Sequence, residues 1–359
     1  MKILMIGSDQ NILKKGSEAQ RRMIWYGEAF SELHILVLNK KLKNKQQNLR
    51  IKNVFLYPTN SKIKALAFFD ALRIGGKIIK ENDFHTQNAV LSAQDPFEFG
   101  LIVFLLSKMS KVKFQLQVHT DFLNECFWKE SFKNKARVKL AEFLLKKADF
   151  IRVVSQKIKN SFLDKNLKLR AGVRVLPIYV DIKKLREKES EFDLHKKYPH
   201  FDYIILMASR ITKEKNIELA IRAMEDLVKV YSKLGLVIVG SGPELGKLKA
   251  KSKKIAANVV FEDWTDNLSS CYKSADLFLL TSNYEGYGRT LVEALACGLP
   301  VISTDVGCAN ELGVVITKNN SDDLAKKIAN FIHNPKKMPF EYEFESKEEY
   351  IKKYKNLFT

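Results

Sequence analysis

The sequence predicts an α/β protein of two doubly wound domains, each a mostly parallel sheet flanked by helices. Three observations carry this. Short apolar runs alternate with longer amphipathic ones along the chain, the pattern of repeated βαβ units. The alternation occurs twice, on either side of a highly charged stretch without apolar periodicity, Asp181–His200. The chain has 359 residues, and at about 100–200 residues per domain that length favours two.

In the first half, strands are predicted over Lys2–Gly7, His34–Leu38, Val54–Tyr57, Ala89–Ser92, Lys113–Val118, Phe150–Val154 and Val173–Leu176. Helices are predicted between several of them, over Ser17–Phe30, Ile63–Lys80, Phe97–Lys108 and Lys133–Lys147. The second half repeats the scheme. Its strands are Ile204–Ala208, Leu236–Val239, Val259–Phe261, Leu277–Leu280 and Val301–Ser303, and its helices Glu214–Lys233, Glu244–Lys253, Asn267–Lys273 and Arg289–Cys297. The expected division is a first domain over 1–181, a linker over 182–200, a second domain over 201–345 and a final amphipathic helix within 346–359 that can cross back to the first domain. Two such domains imply a cleft, with ligands at the carboxyl ends of strands and the amino ends of helices.

Composition narrows the partners. Lys and Arg number 61 against 41 Asp and Glu, a formal charge of +20, which favours nucleic acid, acidic lipid or phosphorylated small molecules. Cys126, Cys271, Cys297 and Cys308 form no C-x-x-C pair and no metal spacing, so reduced cysteines in a cytoplasmic protein are expected. Met1–Gly7 reads as a first strand, not as a signal peptide. The longest apolar stretch, Phe99–Leu106, is far below the roughly 20 residues a membrane-spanning helix needs. A soluble or peripheral protein follows.

The segment Glu285-Gly286-Tyr287-Gly288-Arg289-Thr290-Leu291-Val292-Glu293 follows a strand and leads into a helix that stops at Gly298-Leu299-Pro300. Its glycines allow a tight turn and close approach of backbone to a ligand. The new helix offers free amides to a phosphate. Glu285 can accept hydrogen bonds from sugar hydroxyls and Glu293 from ribose hydroxyls. Thr290-x-x-Glu293 also fits a capping box, which would make Glu293 structural.

Glu-Gly-Tyr-Gly, the seven residues between the two glutamates, and the following Ala-x-x-Cys-Gly-Leu-Pro-Val-Ile resemble the donor-site signature of retaining glycosyltransferases of family 4 (group 1). The resemblance implies the GT-B fold, two Rossmann-like domains facing a cleft. It also implies transfer of a sugar from a UDP- or GDP-sugar to a glycan or lipid-linked acceptor with retention of configuration. In that light Arg210 and Lys215, five residues apart in the strand-to-helix loop Ala208–Asn216, become ligands of the donor diphosphate. By pattern alone they are two cations in a cation-rich chain, and Lys213 stays unassigned. Gly240 and Gly242 of Val239-Gly240-Ser241-Gly242-Pro243 resemble the turn lining the nucleotide pocket; a plain turn fits them equally.

Gly16, before the capping-box helix start Ser17-x-x-Gln20, stands where the family brings an amide to the diphosphate from the opposite domain. His119, at the end of the strand Lys113–Val118, resembles the family histidine at the sugar. Ser92-Ala93-Gln94-Asp95-Pro96 resembles an acceptor loop, or is a generic turn and helix start. In Asp305–Glu311 the family usually has glycine where Cys308 stands, and a longer segment after Glu311. No Asp-x-Asp or metal-ligand spacing is present, so neutralisation of the diphosphate by Arg210, Lys215 and helix amides, without a required metal or other cofactor, is expected. The basic stretch Phe127–Phe150 fits an acidic membrane surface or a core helix with a solvated face. A nucleotide-sugar epimerase and a non-catalytic sugar-nucleotide binder are the alternatives to a transferase. A nucleic-acid binder has only the charge in its favour, with no recognition motif.

Overall fold

The computed structural model describes residues 1–40, 47–85, 88–344 and 346–358. Two units pack separately, Met1–Pro177 with Phe344–Thr359, and Ile178–Glu343.

Among the described residues the first unit has eight strands: β1 (Lys2–Gly7), β2 (Glu32–Val37), β3 (Leu49–Ile51), β4 (Val54–Pro58), β5 (Ala89–Ala93), β6 (Lys113–Val118), β7 (Phe150–Val153) and β8 (Val173–Val175), in the order β3-β4-β2-β1-β5-β6-β7-β8. All pairs are parallel except β3 with β4. Five consecutive residues of β1 and all five of β5 are buried, as in a parallel sheet covered on both faces. Ser17, Ser131 and Ser155 each accept a backbone amide at the start of a helix and so set where it begins.

The second unit has six parallel strands, β9 (Tyr203–Ala208), β10 (Leu234–Val239), β11 (Val259–Glu262), β12 (Leu277–Leu280), β13 (Val301–Thr304) and β14 (Val315–Thr317), in the order β11-β10-β9-β12-β13-β14. Its core joins Ile205, Met207, Leu236, Ile238, Leu277 and Leu279 of the sheet to Ile221, Met224, Leu324 and Ile328 of covering helices. The strand order reverses between β9 and β12, which makes their carboxyl ends the switch point where such sheets hold ligands.

Several expectations are corrected. The segment read as a linker forms two short helices, Ile182–Glu187 and Leu194–Lys197, and belongs to the second unit. Its polar composition matches its role: Arg186 Nε donates to Ala296 O, and the amides of Glu191 and Leu194 donate to Ser270 Oγ and Ser274 Oγ. The helix expected over Glu214–Lys233 is a single 3-10 turn, Lys213–Lys215, then a helix over Ile217–Leu227. Asn216 separates the two at φ 47°, a left-handed conformation an α-helix does not tolerate inside it. Helices Gln156–Asp164 and Ser321–His333 and strands β3 and β14 have no counterpart among the elements expected above. The strands have three residues each, and Ser321–His333 buries only Leu324, Ile328 and Phe331.

The last helix, Lys347–Lys355, packs within the first unit: Tyr350 and Tyr354 are buried, against Trp25, Tyr26 and Phe30. Among the described residues no helix is long and apolar enough to cross a membrane.

Candidate functional site

At the switch point of the second unit, two loops are laced together. The loop after β9 carries Arg210 and Lys215; the loop after β12 carries Glu285. Thr281 Oγ1 donates to the carbonyls of Lys215 and Asn216, both at 3.0 Å, and the amide of Asn283 donates to Glu214 O at 2.8 Å. These bonds place Lys215 Nζ 2.5 Å from Glu285 Oε1, with both side chains 14% exposed. Ser282 Oγ donates to the same carboxylate oxygen at 2.8 Å. An opposed pair so little exposed is a strong local field. Arg210 does not join it. Its guanidinium reaches solvent and pairs with Glu214 at 3.2 Å.

Both helices that start here begin on left-handed residues without a side-chain cap: Asn216 before Ile217–Leu227 and Gly288 before Arg289–Ala296. Uncapped first-turn amides with the positive end of a helix dipole suit an anion. Gly288 (φ 87°) is the turn residue that only glycine adopts readily. Gly286 and Tyr287 are buried in the same turn, Arg289 is exposed and Thr290 lies inside the helix.

The helix start removes the capping-box reading of Glu293, because Gly288 and not Thr290 is the N-cap. Instead Tyr272 donates its hydroxyl to Glu293 Oε2 at 3.0 Å and Arg289 donates to Oε1 at 2.8 Å. Burial, and then the Glu293 charge, push the Tyr272 phenol well above its usual range, so it remains a donor. Tyr272 and Ser282, the partners of the two glutamates, were not singled out from the sequence. No local motif marks them.

Gly240 and Gly242 line the inner side of the Arg210 loop. A Cβ on Gly240 would stand 1.9 Å from Ser209 O, and one on Gly242 2.3 Å from Ile211 O. The two turns therefore touch backbone to backbone, fastened by Ile211 N to Ser241 O at 2.8 Å. Gly307 plays the same part on the far side, where a Cβ would stand 2.3 Å from Tyr287 O. Beside it the amide of Cys308 donates to Tyr287 O at 2.8 Å, and the Cys308 thiol is buried.

In the first unit, Ser17 and Gln20 form the expected cap: Gln20 N donates to Ser17 Oγ at 3.0 Å. The Gly16 amide, expected against a ligand, donates instead to Gln20 Oε1 at 2.9 Å. Asp95 resolves as a helix start, accepting the amides of Phe97 and Phe99. Burial pushes its carboxyl up to about 6. His119 follows β6, with Nε2 3.3 Å from Gln117 Oε1. Burial foremost, then Arg152 and Arg22, hold its pKa down to about 3, so the ring is neutral. Among the described residues no group of three or more His, Cys, Asp or Glu is placed to hold a metal ion.

Residues 190–354 match the family model described as glycosyl transferases group 1. This segment is similar to group 1 glycosyl transferase domains. Among relatives of the chain, an uncharacterized glycosyltransferase of Methanocaldococcus jannaschii is 28% identical over 70% of this chain and 64% of its own length. The alpha-monoglucosyldiacylglycerol synthase of Streptococcus pneumoniae is 28% identical over 60% of this chain and 51% of its own length. The chain thus spans about half to two thirds of these two relatives. Sucrose-phosphate synthase from Thermosynechococcus elongatus has a TM-score of 0.75 at 17% identity, covering 93% of this chain and 90% of that one. A trehalose-6-phosphate structure from E. coli bound with UDP-2-fluoro glucose has a TM-score of 0.73 at 12% identity, covering 100% and 94%. At such identities the likeness is one of fold, and that fold is GT-B. The Lys215–Glu285 pair and the Gly286–Thr290 turn all lie within the matched segment.

Proposed function

We propose that the chain transfers a hexose from a nucleoside-diphosphate sugar to a glycan or lipid-linked acceptor, with retention of anomeric configuration. The observation that carries this is the Lys215–Glu285 pair at the switch point, flanked by two uncapped helix starts. In the structure the two charges balance each other. A donor brings its own: the ammonium and the amides of Arg289 and Thr290 meet the diphosphate, while the Glu285 carboxylate accepts from hydroxyls of the transferred sugar. Stabilising the departing diphosphate lowers the barrier to cleavage of the glycosidic bond. Glu293, braced by Tyr272 and Arg289, faces the ribose. Gly240 and Gly242 let the nucleotide approach backbone. Arg210 swings from Glu214 onto the phosphates. For the first unit, the family resemblance assigns His119 to the sugar and Gly16 to the donor diphosphate. The UDP-sugar in the E. coli neighbour supports a uridine donor ahead of a guanosine one.

A thermal-shift screen with UDP-, GDP- and ADP-sugars tests the reading. A ligand at 100 times its Kd adds about 2.7 kcal/mol, a rise of roughly 5–10 °C for a unit of this size. One nucleotide class is expected to give that rise in the wild type, with much less in Lys215→Ala and Arg210→Ala. Equal stabilisation of all three proteins by every nucleotide sinks the site.

The acceptor side is proposed to work at an acidic membrane surface, on the cytoplasmic face. Helix Phe132–Leu145 buries Ala141, Leu144 and Leu145 and packs on helix Glu98–Ser110. Its outer side leaves Phe132 87% exposed beside Lys133, Lys135 and Lys139. Met109 on the neighbouring helix is 76% exposed. Apolar residues among exposed lysines match an interfacial surface, each cation contributing about 1 kcal/mol near anionic lipid. The alpha-monoglucosyldiacylglycerol synthase among the relatives supports a lipid-linked acceptor. Co-sedimentation with phosphatidylglycerol vesicles is expected at low salt, to be lost at high salt, and to weaken in Phe132→Ser. Equal recovery with neutral vesicles, or none with acidic ones, removes the membrane from the proposal.

A further inference from the structure

Arg152 on β7 is a buried cation whose acceptors are all neutral. Its guanidinium donates to Leu176 O at 3.2 Å, Pro177 O at 3.0 Å, Tyr350 OH at 2.8 Å and Gln117 Oε1 at 2.8 Å, and lies 5.3 Å above the Tyr354 ring. The side-chain amide of Gln117 is held at both ends, because its nitrogen donates to Ser92 Oγ at 2.9 Å and to Tyr354 OH at 3.3 Å. A guanidinium only donates, so the Gln117 atom facing it must be the oxygen. That same oxygen is the partner of His119 Nε2. An amide oxygen only accepts, so Nε2 must carry the proton. In a neutral imidazole the other nitrogen is then bare, and among the described residues nothing donates to Nδ1 of His119.

We propose that Arg152 is a positioning residue: through Gln117 it holds His119 as the neutral tautomer protonated at Nε2, leaving Nδ1 as an acceptor for a hydroxyl of the bound sugar. The final helix takes part, since Tyr350 and Tyr354 hold the guanidinium and the amide in place. The Tyr350 hydroxyl accepts from Arg152 and donates to Pro177 O at 3.0 Å, which leaves Tyr26 as the donor in the 3.2 Å contact between the two phenols. The identity of the hydroxyl rests on the transfer reading above; the tautomer does not.

The test is nitrogen NMR of the full chain labelled with ¹⁵N-histidine, with His119 assigned from a His119→Gln variant. The wild type is expected to show a protonated Nε2 and an unprotonated Nδ1 between about pH 5 and pH 8, where an unperturbed histidine titrates. Gln117→Leu removes the shared acceptor and is expected to populate both tautomers. Gln117→Glu keeps an acceptor there and is expected to keep the Nε2 proton. Arg152→Met is expected to mix the tautomers and bring the titration of His119 upward. If Arg152→Met does not fold, Gln117→Leu decides. A proton on Nδ1 in the wild type, or a tautomer ratio unmoved in Gln117→Leu, overturns the proposal. Adding whichever sugar nucleotide stabilises the chain is expected to shift the Nδ1 resonance, and no shift at saturation removes the hydroxyl contact. Loss of the transfer reading would leave the tautomer pattern standing, so the two failures are distinguishable.

Discussion

Glu285→Gln is expected to lower sugar transfer by about 10²–10³-fold, the size of effect seen when one preorganised electrostatic group is removed from a reaction centre. The substitution keeps the shape of the side chain and leaves an amide oxygen for Ser282 Oγ, now 2.8 Å from the carboxylate. It removes the charge that balances Lys215 Nζ at 2.5 Å. Binding and turnover should therefore part company. An unbalanced ammonium attracts a diphosphate more strongly, so affinity for the nucleoside diphosphate is expected to hold or rise while kcat falls. Lys215→Ala predicts the opposite signature, with nucleotide affinity and kcat both falling. Isothermal titration with the nucleoside diphosphate, run beside initial rates, separates the cases. Parallel losses of affinity in both variants would count against the division of labour between carboxylate and ammonium.

Gly240→Ala is expected to cost about 3–5 kcal/mol, through strain at an unusual φ and overpacking together. Gly240 has φ 152°, and its added Cβ would meet Ser209 O at 1.9 Å. That carbonyl cannot turn away easily, because Ser209 N is bonded to Val239 O at 3.1 Å and Ile211 N to Ser241 O at 2.8 Å. For a unit of this size the melting temperature should fall by roughly 10 °C. Gly246→Ala supplies the control with the opposite sign. Gly246 sits in helix Leu245–Lys251 with open space around its Cα. Alanine there is expected to stabilise by about 0.5–1 kcal/mol. Circular dichroism melts of the three proteins check both. A Gly240→Ala protein melting with the wild type would mean that the turn relaxes freely and does not brace the Arg210 loop.

Much of this arrangement was legible in the sequence, and the legible part is local. Apolar residues announce β1 and β12 as unbroken runs and β6 by the alternation of Phe114, Leu116 and Val118, and all three strands have the predicted bounds. Ser17 and Gln20 lie three residues apart, within reach of one helical turn, so their cap follows from spacing and residue type alone. The turn Gly286–Gly288 and the helix that follows it were equally readable.

What the sequence left open was settled by residues far along the chain. Glu293 could cap its own helix or serve a ligand until Tyr272, 21 positions earlier, was brought against it. Arg210 and Lys215 look alike as neighbours in a loop; only the approach of β12 gives Lys215 a carboxylate and leaves Arg210 in solvent. Gly16 was read as an open amide, and a side chain one turn onward takes it. His119 owes its tautomer to Arg152 and to a helix more than 200 residues later. By itself, then, the sequence determined the two α/β units, the order of their elements and the loops that matter, because backbone preference and periodic burial are properties of adjacent residues. The tertiary structure alone decided which charges in those loops are paired, buried or free, because a side chain's field and hydrogen-bond partners come from segments that only folding brings within a few ångströms.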